Sequence, residues 1–318
     1  MYKCNEDQLP KIKAEIEKFA EFYEVNERGV KPYFFPHVED LMRFKTEGKN
    51  IELFDIRAEV KDFVVFGVHG CDVKSLEVLD NVFLQDPVDT YYQARREHGI
   101  IISEACTNPA NTCFCKTFGI DPANPGADVT IWREGKIIYW LFNTAKGGDL
   151  FMKIESLLEE GGDEEVESIK NAINNKMDKL PLAGLTTEGF GGGKTDEYFN
   201  DPEWESLSES CLGCGTCTFV CPTCQCYDIK DFDTGHGVIR IRTWDSCMYS
   251  EFTKMSAGQP RTSQLQRFRQ RFMHKLVYYP ENNKELFSCV GCGRCLQKCP
   301  IQMNIVKVMK RLGGKENE

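Results

Sequence analysis

The alternation of apolar and polar positions predicts repeated pairs of strands and helices over the first part of the chain. Residues 8–25 place Ile, Phe and Tyr at helical spacing between Lys and Glu, which predicts an amphipathic helix. The continuous apolar run at residues 63–68 predicts a buried strand, and residues 73–79 predict the helix that follows it. A second pair comes next, with a helix near residues 89–97 and a strand at residues 100–103.

The pattern then changes to a hairpin followed by helices. Residues 129–132 and 137–142 are apolar runs on either side of Glu134-Gly135-Lys136, which predicts two strands joined by a tight turn. Charged patterns with helical spacing at residues 149–160 and 163–178 predict two further helices. These elements together predict a mixed α/β domain over residues 1–184.

Residues 185–203 are rich in Gly and Thr and predict a linker. The stretch around Gly193, Lys194 and Thr195 partly matches a phosphate-binding loop. That motif needs a Gly where this chain has Glu188, and no strand precedes it, so we reject this interpretation.

Residues 204–318 form the cysteine-rich part of the chain, and helical patterns occur at residues 264–276 and 303–312. A long insert separates two cysteine runs there, which favours a mainly α-helical ferredoxin-like dicluster domain over the small β-rich ferredoxin. The predicted fold class is therefore α+β, with a mixed α/β domain at residues 1–184, a linker at 185–203 and the dicluster domain at 204–318.

Composition limits the possible environments and partners. The chain has 318 residues and a net charge of −10, which argues against nucleic acid as a partner. Its first 24 residues are charged throughout and contain no signal-peptide apolar region. No apolar run approaches the ~18 residues of a membrane span. The 16 cysteines lie partly in runs with metal-ligand spacing, so we expect a cytoplasmic protein that does not enter a membrane.

Two cysteine runs carry the strongest chemical signal, because each has the spacing Cys-x2-Cys-x2-Cys-x3-Cys-Pro of a bacterial [4Fe–4S] site. In two-cluster proteins the fourth cysteine of each run binds the cluster of the other run. The first cysteine group is accordingly Cys211, Cys214, Cys217 and Cys299, and the second cysteine group is Cys289, Cys292, Cys295 and Cys221. Zinc ribbons use two Cys-x-x-Cys pairs per ion rather than two runs of four that end in Cys-Pro, so the spacing favours clusters.

A third set of cysteines follows the predicted strands of the first domain. Cys71 comes after one strand and Cys106 after the next, and Cys113 and Cys115 lie on the loop that follows. Loops after neighbouring strands converge at one edge of an α/β sheet, where ligands bind. This third cysteine group could therefore hold a third [4Fe–4S] cluster, and zinc with four thiolates is the competing possibility.

The remaining cysteines have weaker signals. Cys224, Cys226 and Cys247 are the spare cysteines, which either bind a further metal or cluster or shield the first two clusters. Cys4 fits a small buried hydrophobic residue. Basic residues between 254 and 275 form either a solvated helix, a dock for an acidic partner, or counter-charge for clusters. No Gly-x-Gly-x-x-Gly follows a strand, so we expect no flavin or nucleotide on this chain.

Six sequence blocks, taken in order, resemble a known family. They occupy residues 66–76, 91–97, 106–115, 221–226, 242–247 and 289–295, and they include Cys113-Phe-Cys115 and Trp244-Asp-Ser-Cys247. In this order they are similar to the iron–sulfur β subunit of cytoplasmic sulfur-reducing NiFe hydrogenases and to the related iron–sulfur subunit of anaerobic sulfite reductase. The likeness covers residues 35–305. The chain departs from the family pattern at two places. It has His69-Gly70 where the family has Arg-Pro, and Gln225 where the family has an aromatic residue. Both departures alter the polarity beside a cluster.

The resemblance implies a function in electron transfer. It implies a non-catalytic subunit of an anaerobic oxidoreductase complex. This subunit would relay electrons between a catalytic partner (a hydrogenase, a sulfite reductase or a heterodisulfide-reductase-like protein) and a flavin/NAD(P)-binding subunit. The resemblance also favours a [4Fe–4S] cluster on the third cysteine group. Two alternatives remain open: a stand-alone reductase whose open cluster site binds substrate, and a cluster-based redox sensor.

Overall fold

The computed structural model describes residues 1–313, without the side chain at position 46. The strands are β1 (Tyr2–Asn5), β2 (Glu21–Glu24), β3 (Val38–Glu47), β4 (Asn50–Asp55), β5 (Phe63–Val68), β6 (Gly99–Glu104), β7 (Val129–Glu134), β8 (Ile137–Phe142), β9 (Glu159–Glu160), β10 (Tyr227–Asp233) and β11 (Gly237–Trp244). The α-helices are α1 (Leu9–Ile16), α2 (Lys31–Phe34), α3 (Gly70–Phe83), α4 (Thr90–His98), α5 (Ala145–Ile154), α6 (Asp163–Met177), α7 (Thr195–Tyr198), α8 (Glu203–Glu209), α9 (Thr216–Phe219), α10 (Gln264–Met273), α11 (Tyr279–Asn282), α12 (Arg294–Lys298) and α13 (Ile305–Leu312).

The large sheet has the strand order β2-β5-β6-β7-β8-β1-β9. Strands β2, β5, β6 and β7 run parallel, and the remaining neighbours pair antiparallel. The buried strands are continuous apolar runs because helices cover the sheet. The predicted mixed α/β character is thus confirmed, and the predicted neighbours β5 and β6 end at the same edge of the sheet.

The small sheet has the order β10-β11-β3-β4 and combines strands from distant parts of the sequence. Strand β11 pairs antiparallel with β3, with Arg242 opposite Glu39. Both side chains are buried, and their ion pair has a length of 2.5 Å. The mainly helical character predicted for residues 204–318 is not confirmed, because β10 and β11 form a hairpin within it.

Residues 8–25 differ from the single predicted helix. Helix α1 ends at Ile16, and Phe22 and Tyr23 lie in β2. Register with β5 places Phe22 opposite Val64, so pairing with the large sheet determines the conformation of this segment. Tertiary pairing here overrides the local helical pattern.

The C-terminal core is built around α10. Phe268 and Phe272 pack there with Trp204 of α8 and with the buried face of α13. Leu185 and Tyr198, both within the predicted linker, are buried in the same core, so this segment is packed against it. After Met273 the helix continues as a π-helical turn over His274–Tyr278. The domain limits themselves stay a prediction.

Among the helices of residues 1–313, none combines the length and the apolar character that a membrane crossing requires.

Candidate metal centres

The second cysteine group converges although its members come from two separate runs. Cys221, Cys289, Cys292 and Cys295 line one narrow cavity of about 20 Å³. Apolar side chains form part of its wall, and Arg271 and Lys275 also line it. Burial raises the pKa of Cys289, Cys292 and Cys295 to about 12 in each case. Such buried thiols require positive charge or a metal to become thiolates.

The loop of the second run approaches the third cysteine group closely enough to require glycine. Gly291 has φ +58°, and a Cβ atom there would lie 2.4 Å from the carbonyl oxygen of Phe114. The amide of Phe114 donates a hydrogen bond of 2.8 Å to the carbonyl oxygen of Gly291. The two cysteine-bearing loops are therefore in direct backbone contact, and Gly291 permits that contact.

Gly291→Ala is expected to destabilise the protein more than Gly119→Ala, a matched control. Both glycines have left-handed φ values, which cost a non-glycine residue about 1–2 kcal/mol. At Gly119 a Cβ atom meets nothing within 4 Å, whereas at Gly291 it overlaps backbone. We expect roughly 1–3 kcal/mol of additional loss at Gly291. Anaerobic thermal unfolding of both variants measures the difference, and equal melting temperatures would contradict the prediction.

The third cysteine group lies at the predicted edge of the large sheet. Cys71 is in the first turn of α3 directly after β5, and Cys106 follows the parallel neighbour β6. Together with Cys113 and Cys115 they line one cavity of about 360 Å³. Burial, together with the nearby Cys113 and Cys106 side chains, raises the pKa of Cys115 to about 12. The structure thus brings these four thiols around a common space.

The third and second cysteine groups are neighbours. Cys292 lines both cavities, and the Cys113 Sγ atom lies 3.9 Å from the carbonyl oxygen of Cys292. Arg294 lines the third group's cavity and forms a two-armed ion pair with buried Asp72, at 2.8 and 2.5 Å. Asp72 directly follows Cys71, so this ion pair ties the second run to the third group.

The first cysteine group is more exposed than the second. Cys214 is exposed, and its carbonyl oxygen accepts a hydrogen bond of 3.2 Å from Tyr249. Helices α9 and α12, which belong to the two runs, contact each other. The Cys299 thiol donates to the carbonyl oxygen of Met303 at 3.3 Å, and among the described residues no hydrogen bond joins it to the other three thiols.

The spare cysteines lie beside the two runs and interact electrostatically with neighbouring thiols. Interaction with Cys221 raises the pKa of Cys224, and interaction with Cys226 raises the pKa of Cys247, with burial adding to both effects. Within residues 1–313, no three His, Cys, Asp or Glu side chains are placed to hold a single metal ion. A cubane differs from such a mononuclear site, because it takes its four thiolates on four different iron atoms. A further metal on the spare cysteines stays a prediction.

Three buried cations surround these thiols. Arg271 and Lys275 are only 2% and 3% exposed, so the interpretation of a solvated basic helix is wrong for them. Lys275 donates to the Thr223 hydroxyl at 2.8 Å and to the carbonyl oxygen of Ser288 at 3.0 Å. Burial alone would lower the pKa of Lys275, but the thiolates of Cys221, Cys224 and Cys289 outweigh it and raise the pKa.

Lys31 is the third buried cation, and sequence reasoning missed it. Its ammonium donates to the carbonyl oxygen of Cys224 at 3.0 Å and lies 3.5 Å from the ring centroid of Trp244. Burial lowers its pKa to about 8, and the thiolates of Cys224 and Cys221 oppose that effect. Lys31 comes from α2 in the first part of the chain, where nothing in the sequence relates it to the cysteine runs.

The residues present fit anionic iron–sulfur clusters. The donors are thiols, which are the usual protein ligands of [4Fe–4S] clusters. A cluster with four thiolates is an anion, and burying an anion is costly unless cations or hydrogen-bond donors compensate it. Arg271, Lys275 and Lys31 supply that compensation at the two runs, and Arg294 supplies it beside the third group.

Comparison with known proteins agrees with this chemistry. Residues 210–303 match the family model of a 4Fe-4S dicluster domain, which defines the chain as an iron–sulfur protein. The chain is 35% identical over 282 residues to sulfhydrogenase 2 subunit beta of Pyrococcus furiosus. The match covers 87% of this chain and 80% of that relative. It belongs to the family of sulfhydrogenase β subunits, so the family predicted from the six sequence blocks is confirmed. No solved structure matches the chain.

Proposed function

We propose that the chain relays single electrons through three [4Fe–4S] clusters as one subunit of an anaerobic oxidoreductase complex. When bound, each cluster takes up and releases one electron. The first, second and third cysteine groups are the proposed ligand sets, and no side chain is required as a general acid or base. Nearby cations and hydrogen-bond donors would tune the reduction potential of each cluster.

The contiguity of the cysteine groups is the observation that carries this proposal. Cys292 lines the cavities of both the second and the third group. Cys221 belongs to the same run as Cys217 and lines the second group's cavity. The three groups therefore follow one another in the order third, second, first, with the second group in the centre. A diffusible ferredoxin would have no use for the third group at the edge of a separate sheet.

Both ends of this order reach the protein surface. Cys214 of the first group is exposed, and exposed Asn108 and Gln297 line the cavity of the third group. We propose that a flavin/NAD(P)-binding subunit docks near one end and a catalytic oxidoreductase subunit near the other. The relative from Pyrococcus furiosus is named as a β subunit, which supports a multi-subunit complex here.

Anaerobic purification of the native complex tests this assignment. We expect a flavoprotein and a catalytic oxidoreductase to co-purify with the chain. The isolated chain should show no sulfur or sulfite reduction with an artificial reductant, since it has only bound clusters to exchange electrons. Substrate reduction by the isolated chain would instead favour the stand-alone reductase.

The third cluster is tested by counting iron. The native chain is expected to hold about twelve irons, four for each of three cubanes. Cys106→Ala should lower this to about eight, because it removes one thiolate of the third group but touches neither run. Anaerobic reconstitution with iron and sulfide followed by iron analysis measures both values.

Cys4→Ser is the matched control for the iron count. Cys4 is buried in the core of the large sheet, where its sulfur accepts a hydrogen bond of 3.2 Å from Trp140. A serine oxygen can accept the same bond, so this variant should keep about twelve irons. Eight irons in the unmodified chain would rule out the third cluster.

A further inference from the structure

Arg271 is a buried guanidinium placed between the two cysteine runs. It lies in the last turn of α10 and is 2% exposed. Its Nη2 donates a hydrogen bond of 3.2 Å to the carbonyl oxygen of Cys217, in the first run. The same side chain lines the cavity of Cys221, Cys289, Cys292 and Cys295. One cation therefore touches the first run and faces the second cysteine group.

Two of its donor atoms have no partner. Nε and Nη1 of Arg271 are buried and make no hydrogen bond within the described residues. No carboxylate in residues 1–313 forms an ion pair with it, and the ring of Phe272, 4.5 Å away, is a weak partner. A buried, unsatisfied polar group costs about 1–3 kcal/mol, and more when it is charged. A bound anion would give these two donors their partners.

The anionic groups within reach are the cysteine thiolates. Burial would lower the pKa of Arg271, but the thiolates of Cys217, Cys295, Cys224 and Cys221 outweigh it and raise the pKa. Cys217 belongs to the first cysteine group, and Cys295 and Cys221 belong to the second. The charge of Arg271 thus acts on both ligand sets of the dicluster domain.

We infer that the free Nε–H and Nη1–H of Arg271 donate to the sulfurs of the second cysteine group's cluster, while its Nη2 is fixed on the first run. A nearby cation stabilises the more negative, reduced state of a cluster, so Arg271 raises the reduction potential. The central cluster would therefore hold an electron more readily with Arg271 than without it.

Lys275 differs from Arg271, although it lines the same cavity. Two of the three donors of its ammonium are taken by the Thr223 hydroxyl and the Ser288 carbonyl oxygen, so it fastens the two runs to each other. In Arg271, by contrast, Nε–H and Nη1–H have no protein partner and are available to the sulfur atoms. This difference makes Arg271 the residue whose replacement should change a potential without releasing a loop.

Anaerobic redox titration monitored by electron paramagnetic resonance tests the inference on Arg271→Gln and Arg271→Lys. Arg271→Gln removes the charge, and it should shift the reduction equilibrium of one cluster at least tenfold toward the oxidised form, or 59 mV for one electron. Arg271→Lys keeps the charge but not the fork of donors, and it should give a smaller shift in the same direction. Both variants should retain their iron.

Arg269→Gln is the control on the same helix. Arg269 stacks on Phe199 at 3.7 Å and donates to its carbonyl oxygen, away from the cysteine runs. Its replacement should leave both potentials unchanged. Unchanged potentials in Arg271→Gln with full iron content would overturn the inference. Iron loss from both Arg271 variants but not from Arg269→Gln would also overturn it, because Arg271 would then serve assembly alone.

The inference requires the two clusters of the dicluster domain. Its meaning for electron transfer rests on the proposed function. The titration needs neither the third cluster nor a partner protein. A chain that lacks a third cluster or binds no partner would contradict the proposed function and still allow the effect of Arg271 to be measured. Failure of the inference on Arg271 is therefore distinguishable from failure of the proposed function.

Discussion

Replacing Cys295 with alanine is expected to remove about four irons per chain and to lower electron transfer through the complex at least ~100-fold. Cys295 lies in the cavity of the second cysteine group, beside Arg271. Removing a residue that only supports a metal ligand lowers metal affinity or activity roughly 10–100-fold. Cys295 is itself a proposed ligand, so the loss should be larger. The second group is central in the order of the three groups, so its loss should interrupt the relay.

Two measurements on the complex check this expectation. Iron analysis gives the loss of the cluster, and the steady-state rate with the complex's own donor and acceptor gives the loss of electron transfer. Cys4→Ser is the control, because Cys4 lies in the core of the large sheet, apart from all three groups. A Cys295→Ala complex that keeps its full iron and its rate would exclude Cys295 as a ligand.

Glu39→Ala is expected to lower the free energy of unfolding by about 3–5 kcal/mol, the usual cost of removing one member of a buried ion pair. Glu39 and Arg242 are 5% and 3% exposed, and Arg95 also donates to Glu39 at 2.9 Å. Without Glu39, Asp89 is the carboxylate partner that Arg242 keeps within residues 1–313. Because this pair joins β3 to β11, its loss weakens the attachment of the hairpin that leads to Cys247.

Asp40→Ala is the matched control for this stability prediction. Asp40 is the next residue of the same strand and pairs with Arg43, with side chains that are 31% and 44% exposed. Exposed pairs contribute about 0–1 kcal/mol, so little stability should be lost. Anaerobic denaturant unfolding measures both variants. Equal losses in the two variants would show that the Glu39–Arg242 pair carries no special weight in the fold.

Local patterns predicted the elements that local physics determines. Strands β5 and β8 were predictable because continuous apolar runs must be buried, and α6 because its apolar side recurs at helical spacing. The hairpin β10–β11 was missed, although Gly235 and Gly237 lie between stretches with β-branched residues and offered a usable signal. Its partner β3 is far away in the sequence, so no local pattern indicated the small sheet.

The sequence by itself determined the kind of chemistry and the family, because ligand spacing on a tight loop is a local property. It also placed Cys71 and Cys106 at one sheet edge, since parallel neighbouring strands end together. The spacing of the two runs also predicted that Cys221 joins Cys289, Cys292 and Cys295, and these four side chains line one cavity. Only the tertiary structure carried Lys31 to Cys224. It alone buried Arg271 with two free donors. Contacts between distant parts of the chain determine which charged side chains are buried. The spacing of residues along the sequence does not indicate that burial.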